Sequence, residues 1–262
     1  MAKSADYFLL APLAGLPAYQ DLLLGLKEGE YTGSSLRGLG LPRAVRLALL
    51  AALHHDLQKP ILLLTNRADR ALSLFDELSF WLPEGANLYF AEPNPSFYED
   101  LPWSESTRHD RLRVLTEFSR YWLPGIAAPQ VPSVVIAPIR AAMTRTIPRR
   151  DFLKNTLRLR LADHRDLLET SASLVNLGYE YSNIVIRPGQ FSRRGGILDA
   201  WSHSSPWPVR IEFFGSEIDT LRLFDPTTQR TTEKIEEALL FPACEALSLA
   251  PVAEGELPCQ PT

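Results

Sequence analysis

Gly33, Ser34, Ser35, Leu36, Arg37 and Gly38 keep the G-x-x-x-x-G spacing of a phosphate-binding loop just ahead of a helical pattern. Such a loop cradles phosphates with backbone N–H groups. Turnover also needs a lysine after the second glycine to reach the β and γ phosphates, followed by a Ser or Thr hydroxyl for Mg²⁺. Those two places are held by Leu39 and Gly40. The spacing without its chemistry predicts no ATP hydrolysis. It leaves two accounts open: a decayed nucleotide loop, or a plain Gly/Ser turn before a helix.

The other catalytic templates are weaker. His54 and His55 fall in a polar stretch at a helix end, and His109, His164 and His203 have no Cys or carboxylate partners at ligand spacing, so all five read as isolated surface side chains. Ser202, Ser204 and Ser205 lack a G-x-S-x-G setting. Cys244 and Cys259 are the only cysteines, which offers neither a disulfide framework nor zinc-ligand spacing. No pair of carboxylates stands out as an acid and a base. The expectation is a chain with no metal, no cofactor and no catalytic site of its own.

Binding chemistry is better represented. Arg193 and Arg194 precede Gly195 and Gly196, and an arginine beside glycines can present its guanidinium fork where a partner carboxylate approaches closely. The alternative is a solvated turn charge. In the run 209–214, Val209, Ile211 and Phe213 fall on one strand face and Arg210, Glu212 and Phe214 on the other. An aromatic beside an arginine on a polar face has the composition of a binding hot spot. If a helix covers that face too, Phe214 is simply core, and periodicity does not choose between the two.

These residues need a sheet to position them. Pro188 and Gly189 signal a turn, and the apolar runs 196–201, 209–214 and 218–224 then follow, separated by a Ser/Pro-rich loop and by Gly215 and Ser216. Upstream, 155–161 alternates as a strand with Leu157, Leu159 and Leu161 on one side. Asp163 is placed to cap a helix whose face is Leu167, Leu168, Ser171, Leu174 and Val175, ended by Gly178, and 179–186 returns to strand. This is a small α+β module built on antiparallel strands.

Before it the pattern alternates helix and strand. The helix 41–57 is followed by 60–65, a continuous apolar run of the buried parallel-strand kind. Ala71, Phe75, Leu78 and Leu82 make one helix face, 87–91 is a strand, Leu112, Leu115 and Trp122 mark a helix, and 133–137 is a strand. Between them, Phe97, Tyr98, Leu101 and Trp103 sit in a long acidic loop, as a partner-binding loop or as a satellite core beneath it. The expected division is an α/β parallel-sheet domain over 1–148, the α+β module over 149–238, and a tail or the start of a further domain over 239–262.

With 27 Lys and Arg against 31 Asp and Glu, the net charge of −4 argues against a protein that grips nucleic acid by bulk electrostatics. Scarce cysteine and the lack of a long apolar stretch at the N-terminus fit a cytoplasmic chain with no membrane contact.

The ordered run 191–199 (FSRRGGILD), then 209–214 (VRIEFF), Glu217, Ile218, Phe224, Asp225, Gln229 and Arg230 resembles the UvrA-contacting module shared by bacterial transcription-repair coupling factors and excinuclease subunit UvrB. The resemblance is dense over 151–238. It extends in order of elements to the α/β layer, with Leu101 to Trp103 as a local echo, and fades in the last two dozen residues. It implies that Arg194, Arg210 and Phe214 hold UvrA, with Arg193 less closely matched. It also implies that Gly33 and Gly38 are the remains of the nucleotide loop of a degenerate P-loop, RecA-like domain. In UvrB that loop keeps its lysine, and a tyrosine-rich DNA-clamping hairpin is inserted that 101–123 lacks. Both differences point to the coupling factors. The implied function is an adaptor that recruits UvrA to stalled transcription in nucleotide excision repair. Damaged DNA and RNA polymerase would be reached only through a polymerase-binding domain and a translocase motor that this chain does not contain, which makes it a fragment or truncated product of a longer protein. The alternative is a nucleotide-dependent repair enzyme related to UvrB.

Overall fold

The computed structural model describes residues 6–29, 31, 40–94, 103–126 and 128–245. They fall into two compact units, Met1–Glu92 with Ala128–Met143, and Pro93–Ala127 with Thr144–Thr262. The chain therefore crosses between units before and after 93–127 and again after Met143.

The first unit opens with helices α1 (Asp6–Ala14), α2 (Pro17–Glu28) and α3 (Arg43–Leu57), continues through β1 (Ile61–Thr65), α4 (Ala68–Leu78) and β2 (Asn87–Tyr89), and yields α5 (Glu105–Arg120) to the other unit before β3 (Val134–Pro138) and α6 (Ile139–Met143). Pro42 sets the entry to α3, where its fixed φ suits a helix start, and Gln58 in the left-handed region ends it. The three strands pair in parallel in the order β1-β3-β2, with Ile61 opposite Val134 and Asn87 opposite Val134 on the other side. A βαβ alternation of this kind gives the parallel sheet expected from the sequence.

Every residue of β3 is buried, as a central strand requires. Strand β1 is not the doubly buried strand its composition suggests. Leu62 is 54% exposed and Leu64 46% exposed, because the face that is covered over β3 and β2, where Leu88 is buried in the same row as Leu62, is open at β1 and only its other face meets the core. The face of α4 follows the expected spacing, with Ala71 and Leu78 buried and Leu82 buried just beyond the helix. His54 is buried rather than at the surface, its Nε2 lying 2.6 Å from the Pro132 carbonyl oxygen. Helices α1 and α2 carried no clear signal in the sequence. Leu10, Tyr19 and Leu23 bury into the same core as Ala51 and Ala52 of α3, and the Tyr19 hydroxyl donates to Asp56 Oδ2 at 2.6 Å.

The second unit holds α5, then α7 (Arg149–Lys154), β4 (Leu157–Arg160), α8 (Leu167–Asn176), β5 (Glu180–Tyr181), β6 (Gln190–Arg194), β7 (Ile197–Ala200), β8 (Val209–Phe214), β9 (Glu217–Phe224), β10 (Thr231–Lys234) and β11 (Glu237–Leu240). A six-stranded sheet runs in the order β10-β9-β8-β7-β6-β5. It is antiparallel except where β5 pairs in parallel with β6, and β11 pairs with β4 in a separate antiparallel ribbon. One face of the large sheet is apolar. Phe191, Leu198, Ala200, Val209, Ile211, Ile218 and Leu221 pack there with Leu174 and Leu177 of the α8 region.

Some local details depart from the sequence reading. Helix α8 is capped by Asp166, whose Oδ1 accepts from the backbone N–H groups of Leu168 and Glu169 at 2.7 and 3.1 Å. Asp163 instead accepts from Arg160 N in the preceding turn. The buried positions of α8 are Thr170 and Leu174, whereas Leu168 is exposed. The expected strand over 179–186 shrinks to Glu180 and Tyr181. The core continues past residue 238, with Leu240, Phe241 and Cys244 buried. Arg111 on α5, fully buried, donates to both carboxylate oxygens of Glu245 at 2.5 and 3.0 Å and lies over the Trp103 ring. Trp103 is half-buried against Arg111, whereas Phe97, Tyr98, Leu101 and the tail from Ala250 lie outside the described residues. Among those residues no helix is long and apolar enough to cross a membrane.

Candidate interaction surface

Because strand side chains alternate, the face of the six-stranded sheet opposite its core carries the polar members of each strand. Register puts Ser192, Asp199, Arg210, Arg222 and Lys234 in one row across β6, β7, β8, β9 and β10. The next row toward the hairpins holds Arg194, Ile197, Glu212 and Thr220, and Phe214 lies beyond Glu212 opposite Glu217. Arg194 and Phe214 therefore share one face and one end of the sheet. Arg193, opposite Leu198, points to the other face.

Two tight hairpins define that end. Gly195 (φ 58) and Gly215 (φ 62) take up the left-handed backbone that two-residue connections between antiparallel strands demand. The first hairpin is tied to β8 by Phe213 N donating to the Gly196 carbonyl at 2.8 Å. The positions flanking the turns are thus set by backbone geometry.

Asp199 organises the arginines. Its side chain is 1% exposed, and its two oxygens accept from Arg210 Nε at 2.8 Å and Nη2 at 2.9 Å, a bidentate fork. Arg194 Nη2 donates to the same Oδ2 at 3.2 Å. These hydrogen bonds raise the Arg210 guanidinium above its ordinary range, outweighing the burial that would lower it. Arg210 has a third bond, from Nη1 to the Gln229 carbonyl at 3.3 Å, and lies over the Phe224 ring at 4.6 Å.

The candidate residues consequently differ in kind. Arg210 is 14% exposed with its fork committed to Asp199, so it is a held cation rather than the bare one the sequence suggested. Arg194 is 53% exposed, with one nitrogen anchored. Phe214 is 83% exposed. Of the two accounts left open for Phe214, no helix among the described residues covers it, and the aromatic ring stands in solvent. Gly33 and Gly38 lie outside the described residues.

Sequence reading missed Asp199 as the organising carboxylate, although an acid between Leu198 and Ala200 in an apolar strand is a usable signal. It also misjudged two histidines. His109 of α5 and His203, distant in sequence, meet with their Nδ1 atoms 2.9 Å apart. Burial, then the nearby His109 and Arg108, push the His203 imidazole down to about 3 from an ordinary 6.5, and His109 is lowered as well, mainly by burial. Both rings protonate less readily folded than unfolded. As pH falls below 6.5 the unfolded chain takes up protons first, and stability is lost until pH approaches about 3. The Tm should therefore drop across this window, His203 contributing at most about 1.4 kcal/mol per pH unit. Thermal melts of His203→Gln should show a shallower pH dependence, and an unchanged slope would refute a buried neutral His203. Among the described residues no three His, Cys, Asp or Glu side chains cluster as metal ligands.

Comparison with known proteins places this surface in context. Residues 157–245 match the family model described as the UvrB interaction domain. The transcription-repair-coupling factor of Bacillus subtilis (strain 168) is 32% identical over 233 residues, covering 85% of this chain and 19% of that protein. That of Escherichia coli (strain K12) is 30% identical over 233 residues, covering 88% of this chain and 19% of the relative. UvrABC system protein B of Mycoplasma mobile is 25% identical over 240 residues, 86% of this chain and 34% of its own length. The resemblance drawn from 191–230 holds, and it extends to most of the chain. The chain spans about a fifth of the length of these coupling factors and about a third of that UvrB.

Proposed function

We propose that this chain, whose residues 157–245 match a UvrB interaction domain, is the UvrA-recruiting adaptor part of a transcription-repair coupling factor in nucleotide excision repair. The observation that carries the reading is Phe214, which is 83% exposed at a hairpin end, on the same face of the sheet as the half-exposed Arg194. A large aromatic held bare on a rigid strand exposes apolar area that only a partner would remove from water. Arg194 supplies a directional, charge-assisted contact on that face, and Arg210, locked to Asp199, holds the carboxylate that anchors Arg194.

On this reading the chain is not an enzyme and needs no cofactor. The α/β unit is a degenerate P-loop, RecA-like domain, with Gly33 and Gly38 as remnants of its nucleotide loop. Its setting is the cytoplasm, and damaged DNA and RNA polymerase are engaged through parts of the longer relatives that this chain does not span. The relatives named UvrABC system protein B keep the rival open, a nucleotide-dependent repair enzyme. Leu39 and Gly40, where a lysine and a hydroxyl are required, favour the adaptor. Calorimetric titration of UvrA into the purified chain tests the proposal, with ATP turnover measured on the chain alone. Saturable binding without turnover is the expected result, and turnover without UvrA binding would establish the rival instead.

A further inference from the structure

The polar row across the sheet carries more positive charge than its own acids neutralise. Asp199 is committed to Arg210 and Arg194, and Glu212, which accepts from the Thr220 hydroxyl at 2.8 Å, directs its charge to Arg210. Arg222 lies directly opposite Arg210, and Lys234 directly opposite Arg222. Like charges facing each other across strands are unfavourable unless something compensates them. Neither Arg222 nor Lys234 forms an ion pair among the described residues, and the Arg222 Nε is buried with no hydrogen-bond partner. That nitrogen is closed to a partner, and what a docked carboxylate would offset is the uncompensated charge of the half-buried Arg222 guanidinium and of the exposed Lys234.

We propose that Arg222 and Lys234 form a second, cationic part of the partner surface, receiving carboxylate side chains from an acidic segment of the same protein that covers Phe214. The inference rests on the UvrA-adaptor reading. Phe214 and Arg194 provide the anchor at the hairpin end, while Arg222 and Lys234, one half-buried and one exposed on the edge strand β10, lie on the same face. A protein occupant fits better than nucleic acid, because the whole chain is acidic, at −4, and the cations form one short row.

The test is the Arg222→Gln/Lys234→Gln double variant of the full chain, titrated with UvrA across a range of salt concentrations beside Phe214→Ala. The double variant is expected to bind about tenfold more weakly at low salt, with a flatter salt dependence and an undiminished Tm. Arg222→Lys/Lys234→Arg, which keeps both charges, should restore the salt dependence. Unchanged affinity and salt slope in the Gln variant, with Phe214→Ala still weakened, would remove Arg222 and Lys234 from the surface and leave the adaptor reading standing. Absence of UvrA binding by the unsubstituted chain would overturn both. A duplex DNA oligonucleotide is the third arm: salt-sensitive DNA binding lost in the Gln variant, with UvrA binding intact, would assign the row to nucleic acid and overturn the proposal.

Discussion

Phe214→Ala is expected to weaken binding to UvrA about thirtyfold, on the order of 2 kcal/mol, without lowering the Tm. The two halves of this expectation come from one fact. A side chain 83% exposed contributes little to the core, so truncating it creates no cavity and removes few internal contacts. Its apolar area is left to be buried by a partner. A core phenylalanine behaves in the opposite way, as Phe224 on the same face should. That ring is fully buried beneath the Arg210 guanidinium, and Phe224→Ala should cost about 3 to 5 kcal/mol of folding stability. Surface plasmon resonance with UvrA, paired with thermal melts, separates the two behaviours. A large Tm loss in Phe214→Ala would contradict its placement in solvent.

Asp199→Ala should have the largest effect on folding of any single polar substitution in the sheet. The carboxylate is almost wholly buried and holds both nitrogens of the Arg210 fork as well as one of Arg194. Removing it leaves the Arg210 guanidinium without its counter-charge, and breaking one side of a buried pair typically costs about 3 to 5 kcal/mol. Urea denaturation measures this directly. Arg194 would also lose its anchor, so UvrA affinity should fall even where the variant remains folded. Asp199→Asn, which keeps one acceptor, should lose less of both. A stability change below about 1 kcal/mol in Asp199→Ala would show that the fork is too well solvated to matter.

How far the sequence reveals these features depends on whether the determining interactions are local. The alternation of Val209, Ile211 and Phe213 against Arg210, Glu212 and Phe214 is written in the period of a strand, and the structure keeps it residue for residue. The same holds for Ala71 and Leu78 on α4, with Leu82 buried just beyond it. Strand β1 was misread because a continuous apolar run has the same appearance in a strand covered on both faces and in one open on a face. What separates them is whether other elements cover each face, a long-range property: the edge strand β2 is covered and the edge strand β1 is open on one face. The cap of α8 was misplaced because Asp163 and Asp166 are both competent, and the choice falls to the turn that binds Asp163 to Arg160.

The site shows the same division. That Arg210 and Phe214 share a strand face could be read from periodicity, and the family resemblance singled out Arg194 with them, but the different surroundings of the three could not be read. Arg210 looks as available as Arg194 until β7 is laid beside β8 and Asp199 falls opposite it. The His109–His203 contact joins a helix to a distant loop, so no spacing rule could have revealed it. Arg222 became notable only when cross-strand register set it between Arg210 and Lys234.

The central claim is a specific surface for UvrA at the hairpin end of the sheet, and the neighbouring arginines offer its most direct test. Arg194 shares the face of Phe214, whereas Arg193, one residue away and likewise exposed, points to the opposite face. Isothermal titration of UvrA into Arg194→Ala/Phe214→Ala and into Arg193→Ala/Phe214→Ala compares the two faces at equal charge. The account predicts that the Arg194 pair binds roughly tenfold more weakly than the Arg193 pair, which should match Phe214→Ala alone. Equal affinity of the two pairs, or an unaltered affinity in both, would contradict it.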